Sequence, residues 1–237
     1  MNVTSARSSR AGGKAETKPA ARRPSGGLTL TEQAYVELEE LISTLQLPPG
    51  AFLSEMALAQ QLGFGRTPIR EALQRLARDG LVVVAPRRGI LVSEINLKAQ
   101  LRLLETRRVL ESLLARLAAE RGDAAERARF AELARGMRAA AEASDDIAFM
   151  RLDRDFNQLV VAAARNEFAA RAMANMTALS RRFWYQHYRE VGDLSLSATL
   201  HAEVAEAIAA RDAAAAAAAS DRLMDYIESF ARKTLDV

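Results

Sequence analysis

Cysteine is absent from the 237 residues of this sequence, which excludes disulfide bonds, thiolate catalysis and cysteine-based metal sites. No apolar run approaches the roughly 20 residues that a membrane-spanning helix requires. The N-terminal region also lacks the apolar segment of a secretory signal. We therefore expect a cytoplasmic protein without a membrane partner.

Catalytic signatures are missing as well. The sequence contains no G-x-S-x-G nucleophile motif, no phosphate-binding loop and no HExxH metal helix. Its carboxylates are plentiful, but they alternate with arginines in the manner of solvated helix faces. These absences predict that the protein is not an enzyme.

The N-terminal segment, residues 1–27, carries six cations against one acid, Glu16, and has few apolar residues. This composition predicts a disordered basic tail. Two interpretations stay open. The tail is either a solvated leader without a role, or an arm that adds non-specific contacts to phosphates.

The rest of the chain divides into two regions. Aromatic residues make up only 5% of the sequence, and its alanine and leucine content favours helices. Residues 28–95 show three helical segments followed by two β-branched runs, which predicts a winged helix-turn-helix of the α+β type. Residues 96–237 favour helix throughout, so we expect a mainly α protein with an all-α C-terminal domain. Its predicted helices are 98–121, 124–143, 145–164, 167–190, 196–210 and 212–233.

The third helical segment, predicted over residues 66–78, begins with exposed cations. Helix N-termini favour negative charge, so Arg66 and Arg70 make sense there if an external anion supplies it. In a winged helix-turn-helix this helix lies in the major groove with its first turn toward the bases. We therefore predict DNA contacts from Arg66, Thr67, Arg70 and Gln74, and from the basic hairpin tip at Arg87, Arg88 and Gly89.

The stretch "SEMALAQQLGFGRTPIREALQRLARDGLVVVAPRRGILVS" resembles the DNA-binding head of the GntR family of bacterial transcription regulators. The resemblance implies DNA contact at Arg66, Thr67, Pro68, Arg70 and the tip at 87–89. One departure is Gly65, where the family usually has a hydroxyl residue that contacts phosphate. Glu55 matches a motif position whose role the sequence does not reveal.

The helical region resembles the FCD ligand-binding domain of the FadR-like subgroup, through "ETRRVLESLLARLAAER", "DRDFNQLVVAAARNEF" and "HAEVAEAIAARDAAAA". The resemblance implies a homodimer and a pocket for a small organic acid. The candidate effector contacts are Arg107, Asp153, Asn157, Arg181 and His201. For Arg107, an i, i+4 ion pair with Glu111 is the favoured alternative. For Arg181, the alternative is a surface position beside aromatic residues of the core.

Many FCD domains bind a divalent metal through one aspartate and three histidines. The matching positions here are Asp153, Asn157, His201 and a fourth near Leu223, so only two strong ligands remain. One open alternative is a weak metal site at Asp153, Asn157 and His201 with water. The other is that these polar groups contact the effector directly or hydrogen-bond to one another within the pocket. The second interpretation is favoured.

Together these features predict a sequence-specific DNA-binding transcription regulator, with repression as the more usual action in this family. A dimer would place two recognition helices on a two-fold operator, and a carboxylate effector would change operator affinity. The alternative is an architectural protein that binds DNA without sequence preference, which the basic tail permits.

Overall fold

The structure, a computed structural model, describes residues 27–85, 89–174, 176–191 and 193–234. These residues form ten helices and three strands. The helices are α1 (Leu30–Ser43), α2 (Glu55–Leu62), α3 (Arg66–Arg78), α4 (Leu97–Arg121), α5 (Ala124–Glu142), α6 (Asp146–Ala164), α7 (Glu167–Met173), α8 (Thr177–Val191), α9 (Leu194–Ala209) and α10 (Ala213–Lys233), and the strands are β1 (Phe52–Leu53), β2 (Val82–Ala85) and β3 (Gly89–Val92). The predicted tail lies almost wholly outside the described residues. So does the tip at 86–88.

The N-terminal elements α1–α3 and β1–β3 form the head, which has the expected winged helix-turn-helix arrangement. Its three strands make an antiparallel sheet in the order β1-β3-β2. The hairpin of β2 and β3 was predicted, but β1 was not. Two residues are too few to show the alternation by which a strand is identified.

Helix α1 begins with a capping box, in which Thr29 is the N-cap residue. The Thr29 hydroxyl accepts a hydrogen bond from the Glu32 amide, and the Glu32 carboxylate accepts one from the Thr29 amide. This reciprocal pair satisfies two backbone amides at the start of the helix. Thr31 is left free to hydrogen-bond Glu71 of α3 at 2.7 Å.

The C-terminal elements α4–α10 form a bundle of seven helices in the described residues, rather than about six. The single helix predicted over 167–190 is two helices, α7 and α8. No glycine or proline marks the break, and the stop signal in the sequence there is the weaker one of an asparagine, Asn175. The break redirects the chain, because α7 packs on α4 and α6 whereas α8 reaches α1 of the head.

The described residues form two hydrophobic clusters. The bundle cluster surrounds Phe130, Phe149 and Phe230, and the head cluster surrounds Leu38 and Ile69. Ala178 belongs to the head cluster although it lies on α8. Helix α8 therefore takes part in both cores. No helix in the described part of the chain is long and apolar enough to cross a membrane.

Candidate DNA-binding surface and effector cavity

The first three turns of α3 form an exposed polar face. Arg66, Thr67, Arg70 and Gln74 are exposed and Pro68 is half-buried, while the opposite face packs into the head core. The N-cap residue is Gly65, which provides no side-chain cap, and the first turn contains no acidic residue. The backbone amides at the start of α3 thus lack a side-chain acceptor, and a phosphate could accept their hydrogen bonds.

Arg70 is held by Glu55, the first residue of α2. The Nε and Nη2 atoms of Arg70 each donate to Oε2 of Glu55 at 3.1 Å. This hydrogen bonding raises the pKa of Arg70. The contact explains the motif position that the sequence alone left without a role, since Glu55 fixes the direction of the Arg70 side chain.

Side chains of α1 clamp α3 in place. The Tyr35 hydroxyl donates to Oδ2 of Asp79 at 2.8 Å, and the Arg75 guanidinium lies over the Tyr35 ring at 3.9 Å. Burial and the Asp79 charge both raise the pKa of Tyr35. With the bond between Thr31 and Glu71, these contacts tie the orientation of α3 to that of α1.

Gly89, one of the predicted DNA contacts, is required by local geometry. Its φ is +88°, and a Cβ atom placed there would lie 2.6 Å from Cε2 of Phe52. Only glycine fits this position without strain. The other two predicted residues of the tip, Arg87 and Arg88, lie outside the described residues.

A cavity of about 40 Å³ lies inside the bundle, with room for roughly three water-sized spheres. All five predicted effector contacts line it, which the sequence spacing alone does not require. The lining residues are Arg107, Phe149, Met150, Asp153, Asn157, Ser180, Arg181, Trp184, Ser197, His201 and Ile227. Ser180, Ser197 and Trp184 were not among the predicted effector contacts. Ser197 could have been found, because it lies four residues before His201 on one helix face.

Asp153 is the centre of the polar network in the cavity wall. Its Oδ1 lies 3.2 Å from Nε2 of His201 and accepts from Nδ2 of Asn157 at 2.9 Å, and its Oδ2 lies 2.8 Å from Nε of Arg181. Burial alone would raise the pKa of Asp153, but the His201 hydrogen bond and the nearby cationic charges outweigh it and lower this pKa. A buried carboxylate is thereby kept ionised.

His201 is fixed from both ring nitrogens. Nδ1 lies 2.8 Å from the carbonyl oxygen of Ser197, and Nε2 faces Asp153. Both neighbours are acceptors, so both contacts are hydrogen bonds when both nitrogens carry hydrogen. The rings of Phe149 and Phe156 pack edge-on against the imidazole. The side chain is therefore oriented before any ligand arrives.

Arg181 is buried, which rules out the alternative of a surface position. It donates to Oε1 of Glu39 on α1 and to the carbonyl oxygen of Met150. Arg107 forms the expected ion pair with Glu111 and also lines the cavity. Its two sequence interpretations are thus compatible.

The cavity wall does not fit a divalent metal. Both oxygens of Asp153 are engaged by protein groups, Asn157 turns its amide hydrogens toward Asp153, and Leu223 is part of the bundle core. Among the described residues no group of three His, Cys, Asp or Glu side chains is placed to hold an ion. The Arg181 guanidinium supplies the positive charge that Asp153 requires.

A second buried arginine ties the bundle to the linker that follows β3. Arg182 donates to the carbonyl oxygens of Ser93 and Glu94, at 2.8 and 3.3 Å. Burial lowers the pKa of Arg182 to about 10, and the Glu94 charge opposes that shift. Neighbouring residues of α8 therefore contact the cavity, the head and the linker.

The winged head and the helical domain with its polar cavity define a DNA-binding regulator with a ligand-binding domain. Residues 30–92 match the family model described as bacterial regulatory proteins, gntR family, and residues 102–226 match the FCD domain. The chain belongs to the gntR family and carries an FCD domain. It is a transcriptional regulator and not an enzyme.

Known proteins agree with this assignment. An HTH-type transcriptional regulator of Streptomyces ambofaciens is 46% identical over 70 residues, a match that covers 30% of each chain. The HTH-type transcriptional repressor RspR of Escherichia coli is 26% identical over 204 residues, 86% of this chain and 90% of RspR. The solved structure of E. coli McbR/YncC shares the fold, with a TM-score of 0.75 and 23% identity over 88% of this chain and 99% of that one.

Proposed function

We propose that this regulator is a sequence-specific repressor whose operator affinity is set by a small carboxylate bound in the bundle cavity. The observation that carries the proposal is the cavity itself, in which the buried cations Arg107 and Arg181 meet His201 and two serines. A carboxylate accepts well from an arginine fork. Its acyl chain would pack against Phe149, Trp184 and Ile227.

Recognition of the operator is assigned to α3. Arginine can donate to both major-groove acceptors of guanine, and Gln74 lies one turn beyond Arg70 on the exposed face. Repression is proposed because the relative RspR, which aligns over most of both chains, is named a repressor. A homodimer would place two such helices on the half-sites of a two-fold operator in the bacterial cytoplasm.

The size of the cavity limits the effector in this conformation. A cavity with room for roughly three water-sized spheres accommodates a carboxylate group and little more. A larger acid would have to displace lining side chains such as Trp184. We therefore propose a short-chain acid rather than a long acyl ligand.

The testing experiment is a gel shift with the DNA upstream of the protein's own gene. Random DNA serves as competitor, Arg70→Ala as the binding control, and the size of the complex by light scattering tests the dimer. Binding that survives the competitor and is lost in the variant supports the operator assignment. Equal binding to random DNA at moderate salt supports the architectural alternative. Release of the specific complex by a short-chain carboxylate tests the effector class.

A further inference from the structure

One guanidinium connects the cavity to the head. Arg181 lines the cavity, contacts Asp153 in its wall and donates to Oε1 of Glu39, a residue of α1. Glu39 is only 3% exposed. A buried carboxylate of the DNA-binding head thus depends on a cation that belongs to the ligand site.

The two carboxylates that share Arg181 are held unequally. Asp153 keeps His201 and Asn157 if Arg181 turns away. Glu39 would keep fewer partners. Its Oε1 also accepts a hydrogen bond from the Ser43 hydroxyl. Its Oε2 accepts no hydrogen bond from the described residues and lies 3.9 Å from Nη1 of Arg154. When a third carboxylate enters and draws on Arg181, Glu39 therefore loses more than Asp153.

A change at Glu39 reaches the recognition helix through rigid contacts. Glu39 lies one turn after Tyr35 on α1, and Tyr35 binds Asp79 and Arg75 at the end of α3. Thr31 binds α3 near its middle, at Glu71. These contacts would transmit a shift of α1 to α3, so a movement at Glu39 would reach the DNA-reading face.

We propose that Glu39 is the residue through which occupancy of the cavity reaches the recognition helix, by competition between Glu39 and the bound carboxylate for Arg181. This inference rests on the proposed function. Two states follow from it. In the empty state Arg181 holds α1 through Glu39; in the liganded state Arg181 turns to the ligand and α1 is released.

The coupling is reciprocal, because a ligand that weakens the Glu39 contact must bind more tightly when that contact is already absent. Trp184 is the single tryptophan of the chain and lines the cavity, so its fluorescence reports binding there. We would titrate wild type and Glu39→Gln with acetate, lactate and succinate and fit the fluorescence change. The variant should bind the responding carboxylate roughly 5- to 150-fold more tightly, the usual range of allosteric coupling.

Glu40→Gln is the matched control. Glu40 is the next residue of α1 and also pairs across to the bundle, with Arg151. Arg181 acts on Glu40 only as a nearby charge, which helps to lower the pKa of Glu40, whereas it donates a hydrogen bond to Glu39. The Glu40→Gln protein should bind the carboxylate as wild type does. On operator DNA selected from a random-sequence pool, Glu39→Gln should behave as carboxylate-bound wild type and lose its response to the ligand. The Glu40→Gln protein should keep the response.

The outcomes separate this inference from the function on which it rests. Equal or weaker carboxylate binding by Glu39→Gln, or equal tightening in both variants, would overturn the coupling and leave the effector class standing. If no carboxylate alters Trp184 fluorescence, the effector class fails and this inference fails with it. If Glu39→Gln does not fold, Glu39→Asp is measured instead, since the shorter side chain retains the charge but draws back from Arg181.

Discussion

The head and the bundle of this regulator hold their arginines in opposite ways. On α3, Arg66 and Arg70 are exposed, and Arg70 leans on the partly exposed Glu55. In the cavity, Arg107 and Arg181 are buried and paired with carboxylates. Exposed pairs are weak and screened by salt, whereas buried pairs depend on complete partners. The first arrangement leaves cations available to a polyanion, and the second requires a ligand to compete for them.

The largest loss of stability is expected from a change at the buried Arg181. Replacement by methionine leaves Glu39 and Asp153 buried without their shared cation, so the free energy of unfolding should fall by about 3–5 kcal/mol. Denaturant unfolding measures this change. Arg151→Met, which removes an exposed arginine paired with Glu40, should cost about 0–1 kcal/mol. Similar losses in both variants would show that burial does not distinguish the pairs.

On the head, removal of an arginine from α3 should weaken DNA binding rather than lower the stability of the fold. Arg70→Ala should weaken operator binding by about 1–3 kcal/mol if Arg70 reads a base, with little change in unfolding. Gel shifts at fixed salt measure the affinity. Arg116→Ala removes an equal charge from the surface of α4 and should bind almost as wild type. An equal effect of the two changes would mean that only net charge matters.

Much of the recognition helix could be predicted, whereas the contact between head and bundle could not. The apolar stripe of α3 and its flanking glycines define residues 66–78 in sequence and structure alike. Asp153 and His201 were found through the family resemblance. Glu39 was not, because its partner Arg181 is 142 residues away and local patterns encode near neighbours only. The break between α7 and α8 was also missed, because the residue that marks it is an asparagine, Asn175, rather than a glycine or proline.

The hairpin of β2 and β3 depends on the backbone conformation of Gly89 and not only on its charged tip. Gly89→Ala should destabilise the head by about 1–2 kcal/mol through its positive φ. The clash of its methyl group with Phe52 adds to this loss. Thermal unfolding checks the expected loss. The double variant with Phe52→Ala should regain the stability lost to the clash but not the stability lost to the positive φ. Full recovery would show that the backbone is under no strain.

The smallest effect is expected from the N-terminal tail. Deleting residues 1–27 should reduce the dependence of operator affinity on salt, because fewer phosphates are neutralised, and should preserve the preference for the operator over random DNA. Affinities at several salt concentrations give the slope. An unchanged slope would favour the interpretation of the tail as a leader without a role.

The connection between the last strand and the long helix α4 is only Ser93, Glu94, Ile95 and Asn96. Four residues extend to roughly 14 Å at most, and Arg182 holds the first two by their carbonyls. With so short a linker the head can rotate relative to the bundle but cannot move far from it. In a dimer, the distance between the two reading helices would then be dictated by the bundles, so inserting a few base pairs between half-sites would be as damaging as changing the bases themselves.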